Sequence, residues 1–150
     1  MNIGDLQPTD AAAIEQAAHA LVAGFREHWP TAWPDLAVAR AEVETALTGG
    51  RVCRVARDCA GTVLGWIGGH RAYARVWELH PLVVLSTVQR QGIGRALVAD
   101  LERQVRERGG LTLLLGSDDE DGMTTLSDVE LYPDVWTHVG VSVAQGSEAA

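Results

Sequence analysis

The strongest constraint on the fold of this chain lies in residues 88–97, "VQRQGIGRAL". A polar loop runs through Gly92 and Gly94 straight into a segment where Ile93, Leu97, Leu101 and Val105 recur every four residues. That spacing predicts a helix with one buried face, reaching about Arg108. Glycine disfavours helix by about 1 kcal/mol relative to alanine. Two glycines at a helix start therefore imply that bare backbone is needed there. β-rich runs flank the helix: "VWELHPLVV" before it and "LTLLLG" after it, with Gly109 and Gly110 as the stop. Pro81 interrupts the first run and predicts a bulge or a break in pairing. The second run is continuously apolar, the pattern of a central strand. Strand, glycine loop, helix, strand is a crossover unit bridging two near-parallel strands, which makes the chain α/β.

The first half supplies the remaining layers. "TDAAAIEQAAHALVAGF" reads as a helix capped by Thr9 or Asp10, with Ile14, Ala18, Leu21, Val22 and Phe25 as its apolar stripe. "REHWPTAWP" is a loop broken by Pro30 and Pro34 and carrying Trp29 and Trp33. "DLAVARAEVETAL" is a second helix, starting at Asp35 and ending at Gly49 and Gly50. "RVCRVAR" and "TVLGWIGGHRAY" flank the turn "DCAG", a hairpin signal. Neither a repeat nor a linker is visible, so residues 1–144 read as one domain and 145–150 as a flexible tail.

Charge narrows the function classes. Twenty acidic residues against 12 arginines give a net charge of −8. This argues against a nucleic-acid surface and is compatible with a cationic ligand. No apolar run is long enough to cross a membrane. The N-terminal "MNIGDLQPTD" has no secretion-signal character, so the expected location is cytoplasmic. Cys53 and Cys59 are expected to be buried free thiols, and the five scattered histidines lack the spacing of a metal site.

Three readings compete for the glycine loop. A dinucleotide fingerprint needs a third glycine where Leu97 stands, and a phosphate-binding Walker loop needs a lysine, which this chain lacks. The remaining pattern, Q/R-x-x-G-x-G/A, is filled by Gln89, Gly92 and Gly94. Physically it is an anion cradle, in which helix-start amides point outward and Arg90 and Arg95 add charge-assisted hydrogen bonds. The plain alternative is a glycine loop before a helix, with solvated arginines.

In its order, "PLVV…QRQGIGRALVADLE…GGLTLLLG" resembles the acetyl-CoA-binding half of the GNAT superfamily of N-acetyltransferases. The resemblance implies a central mixed sheet flanked by helices. It also implies that Gln89, Arg90, Gln91, Gly92, Ile93, Gly94 and Arg95 hold the pyrophosphate of acetyl-CoA, and that Leu82, Val83 and Val84 line pantetheine and the thioester. Three further blocks, "EHWPTAWPDL", "WELHPLVV" and "LGSDDEDGMTTLSDVELYPDV", resemble the aminoglycoside 6′-N-acetyltransferases over most of residues 25–136. The implied acceptor is the 6′-amine of an aminoglycoside antibiotic.

Acetyl transfer to an alkylamine, whose pKa is about 10, requires something to take the proton. Glu78, His80, Asp118, Asp119 and Glu120 fall at or just beyond the C-terminal ends of the two central strands, where ligands bind in open α/β sheets. By the resemblance, Asp118 contacts the drug's amines and assists proton removal, with Asp119 and Glu120 beside it. His80 would sit near the acetyl group, where it could serve as a base. Trp33 and Tyr73 could wall the sugar rings. No serine or cysteine stands beside an activating base, so transfer is expected to be direct. No metal is expected.

One departure is expected to matter. Where relatives continue into a helix bearing a tyrosine and a "GF" start to another strand, this sequence reads "WTHVGVSVAQGSEAA". Tyr132 belongs to "LYPDV" and is not assigned the proton-donor role, and Gly122 stands where relatives carry asparagine. "LTLLLG" would then become an apolar edge covered by a second subunit, giving a homodimer. The alternatives are a GNAT protein that acetylates another small amine or a peptide N-terminus, and a CoA-binding protein with little activity.

Overall fold

Asp58 sets the first hairpin. Its Oδ1 accepts from the amides of Ala60 and Thr62, both at 2.9 Å, and Gly61 takes the left-handed φ of 86° that the turn requires. In the computed structural model, whose described residues are 1–116, this turn joins β2 (Val52–Arg57) to β3 (Val63–Tyr73), as the sequence predicts. Expectations placed on Asp118, Asp119, Glu120, Gly122, Tyr132 and the 145–150 tail lie outside the described residues.

A short strand that sequence reading did not anticipate, β1 (Asn2–Asp5), pairs antiparallel with β2. β3 pairs antiparallel with β4 (Val76–Val84), and β4 pairs in parallel with β5 (Thr112–Leu115). The sheet order among the described residues is β1-β2-β3-β4-β5. A single parallel pair in an otherwise antiparallel sheet is the signature of the expected crossover. The connecting helix is α3 (Ile93–Glu107), and its predicted stripe of Ile93, Leu97, Leu101 and Val105 is buried throughout.

Two helices pack against the other face. α1 (Ala11–Phe25) is capped by Asp10, whose Oδ1 accepts from Ala13 N at 3.0 Å. α2 (Leu36–Ala46) is capped by Asp35 through Val38 N at 3.0 Å. The α1 stripe is richer in alanine than the sequence reading had it. Ala13, Ala17, Ala18, Ala20 and Leu21 are buried, while Ile14, Val22 and Phe25 form a half-buried rim. Small residues let the helix sit close to Val55, Val63 and Trp66 of the sheet. On the α3 side, Val52, Ala56, Ile67, Trp77 and Leu79 complete a second apolar layer.

"LTLLLG" forms β5, whose neighbour among the described residues is β4. One expectation needs correction. Cys59, expected to be buried, is exposed in the hairpin turn, whereas Cys53 is buried. Among the described residues, no helix is long and apolar enough to cross a membrane.

Candidate active site

β4 ends at Val84, and the chain turns through a short 3-10 segment, Ser86–Val88, into the glycine loop. Gln89 Nε2 donates to the carbonyl oxygen of Val84 at 3.0 Å, so its amide fastens the loop to the strand end. Arg90 adopts φ 63°, and Gly92, the residue before α3, adopts φ 85°. No side chain caps α3, and its first turn contains no acidic residue. The outward amides therefore keep the positive end of the helix dipole, roughly half an elementary charge. Arg95 lies in that first turn and Arg90 just ahead of it, both exposed. A cation at a helix N-terminus is unfavourable by a few tenths to about 1 kcal/mol, an arrangement that an anionic ligand relieves. Val84, Gln89, Arg90, Gly92, Ile93, Gly94 and Arg95 line an open groove of about 700 Å³ here. Of the predicted loop residues only Gln91 is not in that lining. Ile93 is 5% exposed, so its side chain anchors the turn while its amide faces out.

The break expected at Pro81 is a bulge in β4. Gly69 pairs with Leu79 and Ile67 with Leu82, leaving Gly68 opposite both His80 and Pro81. A Cβ on Gly68 would run into the carbonyl oxygen of His80, so glycine is required on the facing strand. The extra residue shifts the alternation of the strand. Trp77 and Leu79 face α3 before the bulge, and Leu82 and Val84 do so after it. Val83 turns to the α1 side and is 5% exposed. Pairing with β5 covers only Val76 to Leu79. Past the bulge, the outer edge of β4 has no strand partner among the described residues. Of this stretch, Val84 lines the groove at the glycine loop.

Charged side chains gather at the bulge. His80 Nε2 lies 3.6 Å from Glu42 Oε1, and His70 Nε2 lies 3.5 Å from Glu78 Oε2. A Cβ on Gly116 would stand 4.0 Å from Glu78 Oε1, so the last described residue lies beside Glu78. Trp33 is 9% exposed, edge-on to Phe25 at 4.7 Å, with its ring 6.0 Å from that of His80. Only a margin of its indole can therefore face a ligand. Tyr73 is not gathered with this group. It pairs with Val76 at the far tip of the β3–β4 hairpin, roughly 13 Å along the strand from His80. Trp66 is a core residue whose Nε1 donates to Ala17 O at 3.0 Å. Glu42 escaped the sequence reading. Its signal was an acid on the packed face of α2, among Ala39, Val43 and Ala46.

The body of α3 is held by ions that the sequence reading also missed. Arg54, on β2, donates through Nε to Asp100 Oδ2 at 2.6 Å and through Nη1 to Asp5 Oδ1 at 2.6 Å. Burial alone would raise the Asp100 pKa, but hydrogen bonds from Arg54 and Arg103 hold it below the usual carboxylate range. Burial likewise works against the charge on Arg54, and the same bonds, with that to Asp5, raise its pKa. Burial, reinforced by Asp5, pushes the Cys53 thiol up to about 12, which rules it out as a nucleophile near neutrality.

The sequence profile of the Acetyltransferase (GNAT) family matches residues 14–123. Among solved structures, an aminoglycoside 6′-N-acetyltransferase complexed with coenzyme A is 32% identical, with a TM-score of 0.82 over 97% of this chain and 77% of its own. The aminoglycoside 6′-N-acetyltransferase from Enterococcus faecium is also 32% identical, with a TM-score of 0.80 over 96% of this chain and 77% of its own. A GNAT family acetyltransferase from Brucella melitensis, in complex with acetyl-CoA, is 28% identical, with a TM-score of 0.62 over 78% and 75%. None of the curated proteins compared with the chain matches it. An uncapped, acid-free helix start beside a bulged strand, together with these likenesses, gives the assignment: the chain belongs to the GNAT acetyltransferase family.

Proposed function

We propose that this acetyltransferase moves the acetyl group of acetyl-CoA directly onto a primary amine, the 6′-amine of an aminoglycoside. The observation that carries the donor side is the start of α3. Its amides lack a capping side chain, Gly92 is left-handed, and Arg90 and Arg95 crowd a positive helix end. A pyrophosphate fits that cradle in charge and in the space above it. Gly92, Gly94 and Arg95 would hold it, while Leu82, Val83 and Val84 flank the pantetheine arm along the free edge of β4. Acetyl-CoA supplies the activated acyl group.

The acceptor side rests on the carboxylates and imidazoles at the bulge. Glu78 lies there, and by the sequence resemblance Asp118, Asp119 and Glu120 would add further acidic partners for a polyamine. His80 takes the proton released as the amine nitrogen bonds to the acetyl carbon and the thioester C–S bond breaks. The named acceptor is further supported by the two relatives at 32% identity, both aminoglycoside 6′-N-acetyltransferases. A homodimer, in which a second copy covers the edge of β5, belongs to the same proposal and is checked by sedimentation velocity.

Thiol release from acetyl-CoA decides the acceptor. Kanamycin and tobramycin should drive release and spermidine should not. Release with other small amines or peptides alone would move the acceptor elsewhere. CoA binding without turnover on any amine would leave a binding protein.

A further inference from the structure

We infer that Glu42, on α2, is the positioning residue for His80. The inference rests on the reading that His80 works on the acceptor amine. It identifies the group that holds the imidazole in place for that task.

His80 sits on the β4 bulge with its side chain 51% exposed. An imidazole there would sample several rotamers unless something fixed it, and a proton acceptor that wanders loses much of its effect. Two neighbours constrain it. The indole of Trp33 lies 6.0 Å away at 35°, itself locked against Phe25 at 4.7 Å. Glu42 Oε1 lies 3.6 Å from Nε2, reaching across from a different element. At that distance the carboxylate is within ion-pair range, so it biases the orientation of the ring toward α2 through charge.

The choice of partner separates Glu42 from the acids that fasten the fold. Where an acid ties one described element to another elsewhere, its partner is an arginine: Glu15 with Arg40, Asp5 and Asp100 with Arg54, Asp10 with Arg57. The two acids beside the bulge, Glu42 and Glu78, pair with histidines instead. Glu42 is half-buried on the packed face of α2, and among the described residues His80 is its ion-pair partner. Stability alone gives little reason for an acid there, because a histidine contributes charge only when protonated.

The test has two arms, and Glu42→Gln serves beside Glu42→Ala to separate loss of charge from loss of packing. In the first arm, NMR relaxation of the His80 ring Cε1–H is measured without substrate, with the His70 ring as internal reference. Glu42→Ala should lower the order parameter of His80 and leave that of His70 unchanged. An unchanged His80 ring overturns the inference. In the second arm, steady-state kinetics with kanamycin should show kcat reduced about tenfold or more in Glu42→Ala, with KM for acetyl-CoA unaffected. In a His80→Ala background the same substitution should cause no further loss. Losses that multiply independently overturn the inference. Failure of the wild-type protein to turn over kanamycin would count against the proposed acceptor, and the ring-dynamics arm would still decide the pairing.

Discussion

The two parts of α3 are built in opposite ways. Its first turn has no capping side chain, no acid and an arginine, and it is entered through a left-handed glycine. Its body is held on every side. Asp100 takes bonds from Arg54 and Arg103, Arg103 also reaches Glu107 at 3.0 Å, and Arg108 donates to both the backbone and the side chain of Gln104. Leu97 and Leu101 are fully buried beneath it. A missing N-cap costs about 1 kcal/mol, while each buried leucine contributes on the order of 2 kcal/mol. The body therefore carries the stability that allows the tip to stay unsatisfied, which is the condition a ligand-binding helix end must meet.

Breaking the body should give the largest effect. Arg54→Met strips Asp100 of its main partner and leaves a carboxylate in a half-buried setting. Removal of one member of a buried pair typically costs about 3–5 kcal/mol, and urea unfolding should show a loss of that order. Affinity for coenzyme A, measured by calorimetry on the protein that remains folded in the cold, should stay within a few-fold of wild type. A parallel collapse of affinity would mean that body and tip are not separable.

Gly92→Asp inverts that result. The position has a φ of 85° and nothing within 4 Å of an added Cβ, so the cost to the fold comes from backbone conformation alone. Aspartate is among the residues that tolerate that conformation best. The added carboxylate would meet the phosphates, and like charges about 4 Å apart near a protein surface repel by roughly 4 kcal/mol. Coenzyme A affinity should fall at least about 100-fold with only a minor shift in the unfolding midpoint. Near-normal affinity in the folded variant would remove the cradle from the start of α3.

The tip was legible in the sequence and the body was not, for a physical reason. Gly92, Gly94 and the four-residue stripe behind them report local backbone needs, which a linear reading captures. Pro81 likewise announced the bulge, and Asp10, Asp35 and "DCAG" announced their caps and turn. Arg54, Asp5 and Asp100 come from β1, β2 and α3, and their association is a product of topology that no spacing encodes. His80 was legible as a candidate base, but its pairing with Glu42 escaped for the same reason, because only the packing of α2 on the sheet brings the two together. β1 was missed because four residues with a single strongly apolar side chain carry too little alternation to read.

Gly94→Ala sharpens the comparison with a smaller effect of mixed sign. Its added methyl would meet only Val84 Cγ2, at an ordinary 3.7 Å. Replacing a helical glycine should stabilise the fold by up to about 1 kcal/mol, seen as a small rise in melting temperature. The same methyl occupies the approach to the first-turn amides, so coenzyme A should bind several-fold more weakly. Stabilisation without weaker binding would show that phosphate does not approach the backbone at this turn.

The smallest effect concerns acid. The Asp100 carboxyl is burdened by burial, yet it is held below its ordinary range by hydrogen bonds from Arg54 and Arg103. A folded-state pKa below the unfolded one means that the stabilisation is fully present above the unfolded value, near 4. It fades as pH falls through the folded value, where the carboxyl takes a proton and both arginines lose their acceptor. Arg103→Gln removes only the exposed arm of this network and leaves Arg54 in place. Its unfolding midpoint at pH 7 should be nearly that of wild type, because an exposed ion pair contributes little. Below pH 4 its stability should decline less steeply, because the carboxyl of the variant is held less far below its ordinary range. Urea unfolding at pH 7 and at intervals down to pH 3 reads both quantities. An acid limb identical to wild type would place the whole electrostatic hold on Arg54.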